Sequence, residues 1–405
     1  MQPREFAIEI VKTLQTAGHQ ALWAGGCVRD QLLNRIPKDY DIATSATPDQ
    51  VRDVFGKRRT LPIGASFGVI TVLGPKSAGP IEIATFRRDG GYSDGRRPDS
   101  VEFTDAREDA LRRDFTINGM FYDPIAEQII DYVGGQADLA KRQIRAIGNP
   151  HERIEEDKLR MLRGVRFAST YDFELEATTL AAIVSHASEL TVVSGERIGA
   201  EMRRMLAGPN RAVAVRLLKL SGLLAVSLEQ GTELGPVASD WGRTLACLER
   251  LKLNDFAAAV TILLEPIVVA DGIGGLFERW KLSNDEKKSI VWVCKNWRAL
   301  SQADRLPWSE VQPILLKPDI ERALAVVESQ SDSPSGAVGF CRERLAWERE
   351  RLDPRPLLNG GDLIRLGIKK GPAFKLVLEA VRNAQLDGEI DSVEQAEAIA
   401  LGWGS

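Results

Sequence analysis

Two aspartates, Asp39 and Asp41, bracket one tyrosine in the stretch GGCVRDQLLNRIPKDYDIAT, residues 25–44. In an extended strand alternate side chains share a face, so both carboxylates point the same way. Like charges that close repel unless a cation sits between them, and Mg²⁺ takes oxygen ligands of this kind. Alone, the triplet also reads as a polar strand end with two solvated carboxylates. The context adds a glycine pair, Gly25 and Gly26, at a strand-to-helix turn where backbone N–H groups can approach phosphate. Arg29 falls one turn into that helix, free to meet a triphosphate oxygen or to pair with Asp30. Together these residues describe phosphate held beside a two-carboxylate metal site, the equipment of phosphoryl or nucleotidyl transfer.

Three other places carry candidate chemistry. Glu82, in PIEIATF, alternates with Pro80 and Ala84 and offers a third carboxylate or a solvated strand glutamate. In LRRDFTINGMFYDP (111–124), Arg113 could clamp phosphate while Asp114 and Asn118 bond a ribose hydroxyl or hold the loop; ordinary charge pairing at a helix end is the other reading. In IEEDKLRMLRGVRFAS (154–169), Arg160, Arg163 and Arg166 recur every third residue beside the apolar stripe Leu159, Leu162 and Val165. Asp157 and Arg160, three apart on a helix, present acceptors and a donor fork on one edge, able to imitate a base-pairing partner or to form an intrahelical salt bridge.

The elements needed to position these groups are legible around them. Residues 5–18 read as an amphipathic helix ended by Gly18, QALWAG as a buried strand, and Gly26 onward as a second helix. The strand DYDIAT follows, then a helix opened by Thr47-Pro48-Asp49, then the β segments FGVITVL and PIEIATF. The Gly- and Arg-rich stretch 87–100 reads as a mobile loop. Beyond Asn149-Pro150 helical periodicity dominates. A chain of 405 residues exceeds one ordinary core. Its 44% hydrophobic and 27% charged residues are those of a water-soluble globular protein. The N-terminus lacks a signal-like apolar run, FAAAVTILLEPIVVA is too short to span a bilayer, and four scattered cysteines suit a reducing cytoplasm. With a net charge of −4, any nucleic-acid binding needs a local basic surface.

The ordered motifs GGCVRD with DYDIAT, IGASFGVITV, IEIATFRRD, RRDFTINGM, EEDKLRMLRGVRF and SGERIGAEMRRML, with a tail segment at 357–381, resemble the class II tRNA nucleotidyltransferases. These bacterial and eukaryotic enzymes add CCA to tRNA 3′ ends and belong with bacterial poly(A) polymerases in the polymerase-beta-like superfamily. The resemblance implies an α+β fold: a nucleotidyltransferase head with a small mixed sheet (1–148), then an all-helical neck carrying the base-selecting motif (149–210), body (211–345) and tRNA-binding tail (346–405). It implies Asp39 and Asp41 as metal-binding catalytic residues, with Glu82 at the accessory acidic position. Gly25, Gly26, Arg29 and Arg113 would bind nucleotide, Asp157 and Arg160 would template the incoming base, and Arg163 and Arg166 would continue that surface. Mg²⁺, CTP, ATP and the tRNA acceptor end are the implied cofactor and partners, with no membrane and no required protein partner. Lys369, Lys370, Lys375 and Arg382 are candidate tail contacts. Gly119 stands where the family commonly has alanine, which would loosen that helix by up to about 1 kcal/mol. An A-adding specialist and a poly(A) polymerase remain alternatives, as does a non-catalytic tRNA-binding protein. No fused phosphohydrolase domain is expected.

Overall fold

In the computed structural model, which describes residues 1–91, 99–228, 241–265, 273–333, 335–369 and 371–402, the first element is the expected amphipathic helix. This helix, α1 (Pro3–Thr16), opens on a proline and buries Phe6, Ala7, Ile10, Val11 and Leu14 along one stripe. Each large apolar side chain so buried contributes roughly 1.5–3 kcal/mol. Gly18, at φ 87°, turns the chain into the sheet.

The sheet is built from β1 (Ala21–Ala24), β2 (Ile42–Thr44), β3 (Thr60–Leu61), β4 (Val69–Leu73) and β5 (Pro80–Thr85). A separate hairpin, β6 (Arg87–Gly90) with β7 (Ser100–Phe103), precedes β8 (Met120–Asp123) and β9 (Gln128–Asp131). The seven-stranded order is β3-β4-β5-β2-β1-β8-β9, antiparallel except where β2 runs parallel to β5. β1, near the middle, is buried at all four positions. Its Trp23 joins Tyr40, Ile42, Ile70, Val72, Ile81 and Ile83 beneath α1 and α3 (Pro48–Phe55), while Leu22 joins Ala43, Phe86 and Phe121 on the opposite face. Helix α2 (Gly26–Leu32) leaves the end of β1 directly, and α4 (Ala106–Leu111) covers part of the second face.

After the sheet come α5 (Gly135–Ala140), α6 (Pro150–Glu156), α7 (Leu159–Tyr171), α8 (Ala177–His186) and α9 (Gly195–Leu206). Two short strands, Gln143–Ile144 and Glu174–Leu175, pair in parallel and tie the α7–α8 connection to the segment that follows α5. These elements fall in one compact unit, Met1–Met205 with Val213–Thr232. The second unit, Leu206–Ala212 with Glu233–Ser405, is helical in its described residues. The helix Phe256–Leu264 is buried from Ala257 to Leu264 and packs on Asn284–Leu300 and Ile320–Ser329. A separate cluster of Leu358, Leu363, Val377, Val381, Ala396 and Ala400 holds the C-terminal helices together. The chain is α+β, a mixed-sheet region followed by helices.

Two local expectations change. The stretch 87–100 is not a simple loop: its ends pair as β6 and β7, with Arg87 opposite Phe103 and Gly90 opposite Ser100. Residues 92–98 lie outside the described set, as does Lys370. Gly119 does not loosen a helix, because it caps a single 3-10 turn, Thr116–Asn118. A Cβ there would stand 2.7 Å from Val133 Cγ2 and 2.9 Å from Ile147 Cδ1. Gly119→Ala is therefore expected to lower stability by about 1–3 kcal/mol through overpacking. Urea unfolding checks this, and adding Val133→Ala to the same chain should recover part of the loss.

Candidate active site

β-pairing register sets the carboxylates. Ile42 of β2 lies opposite Ile83 of β5, both buried, so Asp41 and Glu82, one residue earlier on each strand, emerge side by side on the other face. Asp39 and Asp41 are exposed while Tyr40 and Ile42 are buried, the alternation expected of an extended segment, although hydrogen-bonded β2 itself begins only at Ile42. Asp41 opens onto a cleft, yet protein crowds its carboxyl on the remaining sides. That desolvation, then the nearby Glu82 and Asp39 charges, push its pKa up against the pull of Arg113. Among the described residues no group of three or more His, Cys, Asp or Glu is placed to hold a metal ion by itself. Two repelling carboxylates still fit Mg²⁺, which is commonly held by one or two carboxylates with substrate phosphates and water completing its shell.

The cleft has a volume of about 670 Å³, and eight arginines and five aspartates line it. That excess of cations is the local basic surface which the chain's overall charge of −4 conceals. Gly25, at φ 69° and ψ −121°, makes the turn from β1 into α2, and a Cβ on it would meet Arg113 Nη1 at 3.0 Å. Both reasons require glycine there. Gly26, Asp39, Asp41, Arg29, Arg113, Asp157, Arg160, Arg163 and Arg166 all line the same space; Glu82 does not.

Each arginine is held by a partner. Arg29 is buried and donates from Nε and Nη2 to Asp30, and from Nη1 to Asn118 Oδ1 at 2.5 Å. Its guanidinium lies 4.4 Å from the Tyr171 ring, whose hydroxyl donates to the same Asp30 oxygen. Arg113 donates to buried Asp109 and to the Asn118 carbonyl. Arg163 donates to Asp114, and Arg166 to Glu201 while stacking 4.0 Å over Phe167. Asp114, which also accepts from Asn118 and from Phe115 N, holds the loop. Burial alone would raise its pKa, but Arg163 and these donors hold it at about 2.

The geometry around Asp157 corrects one expectation. Residues 154–169 are not one continuous helix: the chain breaks at Asp157, φ −150° and ψ 103°, between α6 and α7. Asp157 therefore does not share a helical face with Arg160 or pair with its side chain. Its carboxylate caps the start of α7 by accepting from Leu159 N and receives a two-pronged pair from Arg197 of α9, at 3.0 and 2.7 Å. Arg160 donates to Glu156 and to the Arg153 and Arg112 carbonyls. A carboxylate has about four acceptor sites and a guanidinium five N–H donors, so both groups keep free bonding capacity toward the cleft.

Sequence reasoning did not place Asp109, Asp89, Arg197 or Glu201 in the site. Asp109 was legible, three and four residues before Arg112 and Arg113 in a helical stretch; it bonds both. Arg197 and Glu201 stand within the motif SGERIGAEMRRML, but their partners lie 40 and 35 residues away, a distance that periodicity does not reach.

The chain matches the family model for the poly(A) polymerase head domain over residues 21–145, and that for the probable RNA- and SrmB-binding site of polymerase A over 172–233. It is 35% identical over 404 residues to the CCA-adding enzyme of Geobacillus kaustophilus, covering 97% of this chain and 95% of the relative. The chain belongs to the CCA-adding enzyme family. Its structure resembles the crystal structure of the Bacillus stearothermophilus CCA-adding enzyme in complex with CTP, with a TM-score of 0.77, 30% identity, and coverage of 100% of this chain and 98% of that one. It shares its fold with the Thermotoga maritima CCA-adding enzyme complexed with tRNA, at a TM-score of 0.70 and 22% identity, over 99% of this chain and 95% of that one.

The Asp114–Arg163 pair yields a pH prediction. The Asp114 carboxyl falls from 3.8 to about 2 on folding, so its contribution is fully present well above pH 4 and is lost as pH falls toward 2. The shift corresponds to about 2 kcal/mol. Denaturant unfolding of the native chain and of Asp114→Asn should show a stability difference that shrinks by about that amount between pH 6 and pH 2.

Proposed function

We propose that this chain adds CCA to the 3′ end of tRNA without a nucleic-acid template, taking nucleotides from CTP and ATP and releasing pyrophosphate. The observation that carries the reading is the Asp39–Asp41 pair, beside Glu82, opening on an arginine-lined cleft whose far wall is α7.

The RNA 3′-hydroxyl attacks the α-phosphate, and the bond to pyrophosphate breaks. Mg²⁺ held by Asp39 and Asp41 would neutralise charge at the transferred phosphoryl group and ease loss of the hydroxyl proton. Arg113 and the backbone turn at Gly25 and Gly26 bind the triphosphate, with Arg29 fixing that turn against Asn118. Arg163 and Arg166 extend the positive wall. Asp157, held by Arg197, and Arg160, held by Glu156, offer one acceptor edge and one donor edge to the incoming base. Glu82 acts through its charge on Asp41. The head, neck, body and tail boundaries at 148, 210 and 345 complete this reading. Among the described residues no helix is long and apolar enough to cross a membrane, and a cytoplasmic location suits a tRNA-processing enzyme. In the tail Lys369 is exposed, whereas Arg382 already bonds Asp353 and Pro354 and is the weaker candidate for RNA contact.

Transcripts of tRNA ending at the discriminator base, at C or at CC should each be extended to CCA and no further when incubated with Mg²⁺, CTP and ATP together, and with CTP alone extension should stop at CC. Addition of A only to the CC transcript would indicate an A-adding specialist, and long A tails on unrelated RNA a poly(A) polymerase. Asp39→Ala and Asp41→Ala should reduce addition to background, and EDTA should abolish it until Mg²⁺ is restored. Asp157→Ala and Arg160→Ala should cut discrimination between the correct and incorrect nucleotide by about tenfold or more, read from the ratio of kcat/KM values.

A further inference from the structure

The carboxylates belong to a longer row across the sheet. Leu61 of β3 lies opposite Thr71 of β4, and Thr71 opposite Glu82 of β5, which stands beside Asp41. All four share the face turned away from α1 and α3. The strip from Asp41 to Leu61 crosses three strand spacings, about 14 Å. Of these four only Asp41 lines the cleft. Glu82, Thr71 and Leu61 thus extend outside the cleft, and Arg87, which lines it, donates to the Phe67 carbonyl where strip and cleft meet. In phosphoryl transfer the attacking and leaving oxygens stand in line. If pyrophosphate departs on the arginine side, the attacking hydroxyl enters from the strip.

The strip has what an unpaired RNA strand needs. At its outer edge Lys57, Arg58 and Arg59 form an exposed 3-10 turn, and none has an acidic partner among the described residues. Apolar side chains stand in water around it: Leu61 is 39% exposed, Ile63 71% and Phe67 40%. Phe103, 45% exposed, lies against Gly68, where a Cβ would meet its ring at 3.0 Å. Cations that track phosphates, interleaved with exposed aromatic rings that accept any base, are the mark of single-stranded nucleic-acid surfaces.

We propose that this strip guides the unpaired 3′ end of the RNA substrate to Asp41, with Phe67 and Phe103 stacking bases and Lys57, Arg58 and Arg59 holding phosphates. The inference rests on the nucleotidyl-transfer reading for the direction of approach, but RNA binding tests it separately. The probe is an RNA hairpin with a 3′ tail ending in CC, bound by the full chain without nucleotide at several salt concentrations. The triple variant Lys57→Ala/Arg58→Ala/Arg59→Ala should flatten the slope of log Kd against log salt by about 2. That variant and Phe67→Ala should each raise the KM for this RNA about tenfold, leaving the KM for ATP and the kcat at saturating RNA unchanged. Unchanged RNA affinity and salt slope in both variants would overturn the proposal, as would an equal rise in the KM for ATP. Should the native chain add no nucleotide yet bind the hairpin with the expected variant effects, the surface would stand and the assigned reaction would fail.

Discussion

Repulsion between carboxylates on one face of the sheet is the constraint around which this unit is organised. Asp39, Asp41 and Glu82 emerge where the pairing of β2 with β5 brings their strands together, and burial of Ile42 and Ile83 on the opposite face leaves them no alternative. A one-residue slip would turn the aspartates into the core and expose the isoleucines. The apolar packing beneath α1 and α3 therefore does more than stabilise the sheet: it holds like charges together at a cost that only a cation or a positive ligand offsets.

The answering positive charge is built differently. Arg29 comes from α2, Arg113 from the turn after α4, and Arg160, Arg163 and Arg166 from α7, and each is fixed by its own acceptor: Asp30, Asp109, Glu156, Asp114 and Glu201. Long side chains lose rotamer entropy when they bind, and forks already held by partners have lost much of it beforehand. Buried Asp109 and Asp114 remain ionised because these arginines stabilise their charge. The same pairs that hold the fold thus preorganise a cleft for a polyanion, and the low-pH weakening of Asp114 and the geometry of the site have one cause.

Much of this is legible in the order of the amino acids. The alternation in D-Y-D-I, the glycine at the strand-to-helix turn and the stripe of Arg160, Arg163 and Arg166 beside Leu159, Leu162 and Val165 are local periodicities. Local sterics and burial enforce them. The break at Asp157 is hard to read there, because E-E-D-K-L-R is compatible with an unbroken helix even though aspartate is also a common helix cap. Asp157 is a capping residue for α7, and Arg197, from another helix, completes its bonding. The hairpin across 87–103 is hidden for a related reason, since a glycine-rich stretch carries turn signals but no partner assignment.

By itself the sequence determined the residue types at the chemistry, their faces on each element, the α+β order and, through its ordered motifs, the family. These follow from short-range sterics and from the spacing of apolar residues, which act over a few positions. Only the tertiary structure decided which acid holds which arginine, that Glu82 stands outside the cleft beside Asp41, and that Leu61, Thr71, Glu82 and Asp41 form one row. Those facts depend on strand register and on contacts between residues tens of positions apart. Burial of a whole core selects them, and no local pattern encodes them.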